Sequence, residues 1–188
     1  SGLAYMLSGG LSIYQLPASF DWLGRGDDLG GIPNAVTLMA VLYIAAHLLM
    51  SRTTIGRHVY AVGGNPEAAR LSGVPVKRIL LWVYASSAVL AGLGGIVMAS
   101  QFRSGDPKYG LMYELYVIAA VVVGGTSLSG GRGKIFGTLI GAFIIAVIQN
   151  GMNLTGVQSY TQKVVLGMVL LAAVLLDMLK KRGWKLQE

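Results

Sequence analysis

Residues 79–100 read ILLWVYASSAVLAGLGGIVMAS, an apolar run without a single Asp, Glu, Lys or Arg. A helix needs about 20 mostly apolar residues to cross the hydrocarbon of a bilayer. Backbone in lipid must satisfy its own hydrogen bonds, and a helix does so within one segment. The stretch therefore predicts a membrane-spanning helix. Four further stretches are comparable. Residues 32–50 carry Asn34 near the start and His47 near the end as their only strongly polar groups, and residues 112–128 hold Glu114 in the first turn. Residues 135–150 and 164–179 complete the set, the last with Asp177 in its final turn. Residues 112–128 and 135–150 are marginal in length, so each is either a tilted span or part of a re-entrant pair. The predicted fold class is all-α: a polytopic integral membrane helical bundle of about five spans.

Composition points the same way. Hydrophobic residues make up 54% of the 188 and charged residues only 12%. A soluble domain carries about 25% charged residues. The mean hydropathy is +0.62. A disordered chain is excluded, because it would be poor in apolar residues. Lys and Arg number 15 against 8 Asp and Glu, a net charge of +7. On a soluble protein that balance would suggest nucleic acid. Here the basic residues lie between apolar runs, and no nucleic-acid partner is expected. Cysteine is absent, which removes disulfides, thiolate metal clusters and thiol chemistry. The chain opens Ser1-Gly2-Leu3, with no basic region and short apolar core of a signal peptide. It reads as a piece of something longer.

The connections predict orientation, since cytoplasmic loops are enriched in Lys and Arg. Residues 51–78 hold Arg52, Arg57, Arg70, Lys77 and Arg78; the next basic connection holds Arg132 and Lys134; the tail holds Lys180, Lys181, Arg182 and Lys185. The alternate connections are not basic. The N-terminal segment sets Arg25 against Asp21, Asp27 and Asp28, the second loop sets Arg103 and Lys108 against Asp106 and Glu114, and the fourth has only Lys163. Five spans then place the start outside and the C-terminus in the cytoplasm. Residues 1–31 form an extracytoplasmic connecting segment, punctuated by Gly, Pro, Ser and Asp, with Tyr14 and Trp22 suited to the membrane interface. It is either a structured loop or also a surface that receives an outside partner. Residues 32–188 form the transmembrane domain.

The cytoplasmic loop 51–78 contains Gly63-Gly64-Asn65-Pro66-Glu67-Ala68-Ala69-Arg70-Leu71-Ser72-Gly73. Asn65 suits an N-cap and Pro66 the first helical position. Glu67 complements the positive end of the helix dipole. Ala68, Ala69, Arg70 and Leu71 favour helix, and Gly73 suits the stop. The spacing predicts a two-turn capped helix on the cytoplasmic side. It is either a docking element for a cytoplasmic partner or a plain tether between spans.

Residues 124–134, GGTSLSGGRGK, allow three readings. A phosphate-binding loop fails, because Leu128 stands at the first Gly position and Ile135 follows Lys134. The run Leu128-Ser129-Gly130-Gly131 is similar to the signature of ABC ATPases, yet no phosphate loop accompanies it and it lies between two spans. A tight reversal that brings two helices close is preferred. Gly92, Gly94 and Gly95, and the pair Gly137 and Gly141, likewise suit close helix packing. No span carries a charge at its centre, which argues against a proton-driven carrier, a voltage sensor or an intramembrane metalloprotease. Asp177 can pair with Lys181 one turn on, and His47 can reach the interface. The amides Gln149, Asn150 and Asn153 suit a hydroxyl-rich solute as well as a helix end, so they are candidate path residues.

These motifs together bring a resemblance into view. TIGRHVYAVGGNPEAARLSG at 54–73 closely resembles the cytoplasmic loop of ribose- and xylose-type ABC importer permeases. YELYVIAAVVVGGTSLSGGRGKIFGTLIGA at 113–142 and NGMNLTGVQSYTQKVVLG at 150–167 fit the same family. The likeness runs from about Gly31 to the C-terminus. It implies a non-catalytic, multi-pass subunit of the bacterial inner membrane, paired as a homodimer and surrounded by lipid. It implies an extracytoplasmic sugar-binding protein that delivers a monosaccharide, and ABC ATPase subunits that bind the ATP, so that this chain holds no cofactor. It implies that Asn65, Pro66, Glu67, Ala68, Ala69, Arg70, Leu71, Ser72 and Gly73 couple ATPase closure to reorientation of the path. Complete members have several more N-terminal spans, and this chain is expected to be their C-terminal portion. The competing class, a secondary carrier or membrane-embedded enzyme, would need a buried carboxylate, metal cluster or activated nucleophile.

Overall fold

The computed structural model describes residues 2–14, 16–28 and 30–184, and of residues 18, 176 and 180–184 only the backbone. The basic tail positions Lys180, Lys181, Arg182 and Lys185 therefore lie outside the described side chains. Nine α-helices are described, besides a short 3-10 turn at Ala18–Phe20: α1 (Gly2–Ser8), α2 (Asp21–Arg25), α3 (Asn34–Arg52), α4 (Thr54–Gly64), α5 (Pro66–Leu71), α6 (Val76–Phe102), α7 (Tyr113–Val123), α8 (Ile135–Leu154) and α9 (Ser159–Trp184). Among the described residues the only strand-like feature is an isolated bridge between Ile13 and Gly105. The fold is all-α.

Four helices, α3, α6, α8 and α9, are long and apolar enough to cross a membrane. Their side chains explain why water is the wrong solvent. Leu81, Tyr84, Val89, Val147 and Leu171 all stand exposed. Apolar surface of this extent belongs against lipid or other helices. The stretch 112–128, by its length a tilted span or part of a re-entrant pair, is helical over a shorter range. Only Tyr113–Val123 is helical, and 11 residues rise about 17 Å against a hydrocarbon core of about 30 Å. The helix stops at Gly124 because Gly125 takes a left-handed backbone, φ +82°. The fourth stretch is instead longer than expected, with 20 residues in α8.

The chain forms two compact units. One is drawn from Ser1–Ala45 and Leu80–Leu111, the other from Ala46–Ile79 and Met112–Glu188.

In the first unit the N-terminal segment is tied to the end of α6. Ser100, fully buried, donates to the carbonyl of Phe20 at 2.5 Å and accepts from the Gly24 N–H at 2.8 Å. Arg103 has a left-handed backbone and pairs with Asp21 at 2.6 Å. Asn34 donates to the carbonyl of Trp22 at 2.9 Å, and the Trp22 indole donates to Asp28 at 2.6 Å. Ser12 donates to Asp106 at 2.6 Å. That bond first, then the Lys108 backbone N–H, holds the Asp106 carboxyl below the usual carboxylate range. Among the described residues, the part of the segment from Ser12 to Asp28 is thus held by specific hydrogen bonds near one end of α6.

In the second unit α7, α8 and α9 pack around Ala119, Ala120, Ile145 and Leu166. Ala119 is fully buried, and Leu115, Tyr116, Val169 and Leu170 pack against the cluster. The small residues let backbones meet. A Cβ on Gly141 would strike the Ala120 carbonyl, and one on Gly137 would strike the Gly124 carbonyl. Without a hydrophobic drive in lipid, such close packing is what holds helices together. By contrast Gly92, Gly94 and Gly95 of α6 face open space within 4 Å.

Candidate functional site

The site grows from the join between α3 and α4. Thr53 has an extended backbone, donates its hydroxyl to the Leu49 carbonyl at 2.7 Å and accepts from the Gly56 N–H at 3.2 Å. One side chain thereby closes one helix and caps the next. α4 was not legible as a helix, because three glycines in 11 residues argue against one. The signal available was Thr53 as a cap and the apolar spacing Ile55, Val59, Val62.

Asn65 breaks the chain between α4 and α5 with an extended backbone. Its side-chain oxygen accepts from the N–H groups of Glu67 and Ala68, each at 3.0 Å. Pro66 occupies the first helical position, and Glu67 pairs with Arg70 at 2.7 Å. The helix ends at Leu71; Ser72 caps it, and Gly73 follows at φ +82°. The nine residues Asn65 to Gly73 are therefore a cap, a helix and a stop. Their exposure divides them. Ala69 is buried, at 5% exposure, whereas Ala68 and Arg70 are exposed and Leu71 reaches 79%. The exposed face of α5 presents Leu71 and Ala68, not Ala69.

The loop between α7 and α8 lies against this arm. Ser127 N–H donates to the Arg132 carbonyl at 3.0 Å, and Gly130 N–H to the Ser127 carbonyl at 3.1 Å. Gly130 and Gly131 both have left-handed backbone, φ +83° and +72°. Their backbones touch those of Gly63 and Gly64. A Cβ on Gly131 would lie 2.6 Å from the Gly64 Cα, and one on Gly63 would lie 2.8 Å from the Gly131 nitrogen. Tyr60 donates its hydroxyl to the Gly133 carbonyl at 2.8 Å. Leu128-Ser129-Gly130-Gly131 is thus part of a tight reversal with a backbone partner. His47 packs at a tilt against Phe136 with centroids 4.7 Å apart, and the Ser127 hydroxyl lies 3.5 Å from Asp177.

The candidate path residues separate. Asn153 accepts from the Gln162 amide at 2.9 Å, and the same amide donates to the Val157 carbonyl at 2.9 Å. Gln162 thus clamps the α8–α9 turn, and it escaped the sequence reading because only the fold brings it to Asn153. Gln149 is half-buried and Asn150 exposed on the last turns of α8. Among the described residues no group of three or more His, Asp or Glu comes together.

Four spanning-length helices, a short apolar helix and a capped arm between two of the spans define a multi-pass membrane protein. The chain belongs to the family described as branched-chain amino acid transport system / permease component, which it matches over residues 4–174. It is 48% identical over 158 residues to the ribose import permease protein RbsC of Escherichia coli (strain K12), a match covering 84% of this chain and 49% of that protein. It is 41% identical over 182 residues to the L-arabinose transport system permease protein AraH of the same strain, covering 97% and 55%. It is 42% identical over 156 residues to the xylose transport system permease protein XylH, also of that strain, covering 83% and 40%. The chain spans about half the length of the curated relatives it matches. No solved structure matches it significantly.

Proposed function

We propose that this chain is the C-terminal part of the permease subunit of a binding-protein-dependent ABC importer of the bacterial inner membrane, moving a monosaccharide inward. The observation that carries the reading is the set of relatives, three permeases for three pentoses at 41–48% identity. In this reading the chain is not catalytic and holds no cofactor. ATP is bound by separate ATPase subunits, an extracytoplasmic binding protein delivers the sugar, and a second permease subunit completes the path. The arm α4–α5 lies in the cytoplasm, as does the C-terminus, and α5 is the coupling helix. Local chemistry supports that role. Two hydrogen bonds that the Asn65 side chain accepts from backbone N–H groups, and the Glu67–Arg70 pair, hold a short helix that presents Leu71 outward.

The test is uptake of labelled ribose, xylose and L-arabinose by cells expressing the complete permease with its ATPase and binding protein. ATP-dependent uptake of one of them supports the reading. Uptake of a branched-chain amino acid and of no sugar would sink the substrate class while leaving the transporter class standing.

A further inference from the structure

We infer that the loop 124–134 is a clasp that joins the arm α4–α5 rigidly to the bundle α7–α9. The inference rests on the transport reading for its consequence, and on geometry alone for the joint.

Three observations converge. Gly63 and Gly64 end α4 against Gly130 and Gly131, backbone on backbone, with no side chain between. Neither side of that contact carries a side chain whose rotamers could absorb a displacement. Tyr60, one turn earlier on α4, donates to the Gly133 carbonyl at 2.8 Å, so the arm is held at two places. The loop in turn continues directly into α8 and follows α7, whose backbones touch at Gly124, Gly137 and Gly141. A push on α5 therefore reaches α4 through Asn65, crosses the clasp and arrives at the α7–α8 contact without passing through a flexible side chain. Tyr60 and Gly131 are positioning residues of this joint.

The experiment uses the complete permease with its ATPase and binding protein in nanodiscs. Tyr60→Phe removes one donor and keeps the ring; Gly131→Ala wedges the backbones apart. Sugar moved per ATP hydrolysed is measured beside amide hydrogen exchange over residues 54–71. A variant that merely misfolds loses transport and hydrolysis together, so the ratio isolates the joint. Tyr60→Phe should raise exchange over 54–71 by about three- to fivefold, the worth of one hydrogen bond, and lower the ratio. Gly131→Ala, where it assembles, should lower the ratio further. An unchanged ratio in Tyr60→Phe overturns the proposal. If the unaltered complex moves no sugar, the transport reading fails instead. Exchange then decides the clasp: faster exchange in Tyr60→Phe supports it, and unchanged exchange overturns it.

Discussion

Gly141 leaves no room for a methyl group between its Cα and the carbonyl oxygen of Ala120. The same is true of Gly137 against Gly124 one turn away, so α7 and α8 meet along a line of bare backbone. That line explains how an apolar helix of 11 residues is held in place. It is gripped by α8 and by the contacts of Ala119 and Ala120 with Ile145 and Leu166.

Gly141→Ala should destabilise the bundle by about 1–3 kcal/mol, the usual cost of forcing an extra carbon into a close-packed contact. The check is the thermal midpoint of the purified protein in detergent. Gly94→Ala serves as the control, because a Cβ there meets nothing within 4 Å. Equal midpoints for the two variants would contradict the packing described.

Asn65→Ala removes the acceptor for two N–H groups at the start of α5. The expected loss is about 1 kcal/mol of local stability. Amide exchange should quicken over Glu67–Leu71 and remain unchanged in α8. Asn65→Asp should restore most of the protection, since a carboxylate caps equally well.

Single cysteines can be placed freely, because the chain has none. Leu71→Cys and Ala68→Cys should react readily with a membrane-impermeant maleimide, and Ala69→Cys should react at least about tenfold more slowly, in line with its burial. Access from the cytoplasmic side alone is the expected pattern. Labelling from outside would reverse the proposed topology. A bulky residue at Ala69 should disturb the folding of the arm, whereas one at Ala68 should affect only partner contact.

Asp106 supplies a pH dependence. Its folded-state carboxyl is held below the ordinary value by the Ser12 hydroxyl and the Lys108 N–H. A depressed value means that the contact contributes above the ordinary carboxylate pKa of about 4. That contribution is lost as pH falls through the depressed one. Ser12→Ala should therefore raise the Asp106 titration midpoint toward the ordinary value, as read by carbon-13 NMR of labelled aspartate. No upward movement would mean that the Ser12 bond is not the cause.

Much of this protein could be read from local pattern. Residues 79–100 predict a span because lipid solvates side chains one segment at a time, and α6 covers them. The helix at Pro66–Leu71 was legible because a cap acts within three residues of itself. Gly63, Gly64, Gly130 and Gly131 were visible as glycines in the same way, but nothing in the string pairs the two sets.

The sequence alone determined the solvent, the helical class and the capped arm, because hydropathy and capping are short-range. Tertiary structure alone decided that Ala69 points inward, that Gln162 meets Asn153 and that α7 stops at Val123. It also decided that the Gly63–Gly64 end of α4 rests on the Gly130–Gly131 turn. Each of these depends on which backbones come together across long separations in the chain. That is set by close packing of whole helices rather than by the preference of any one residue.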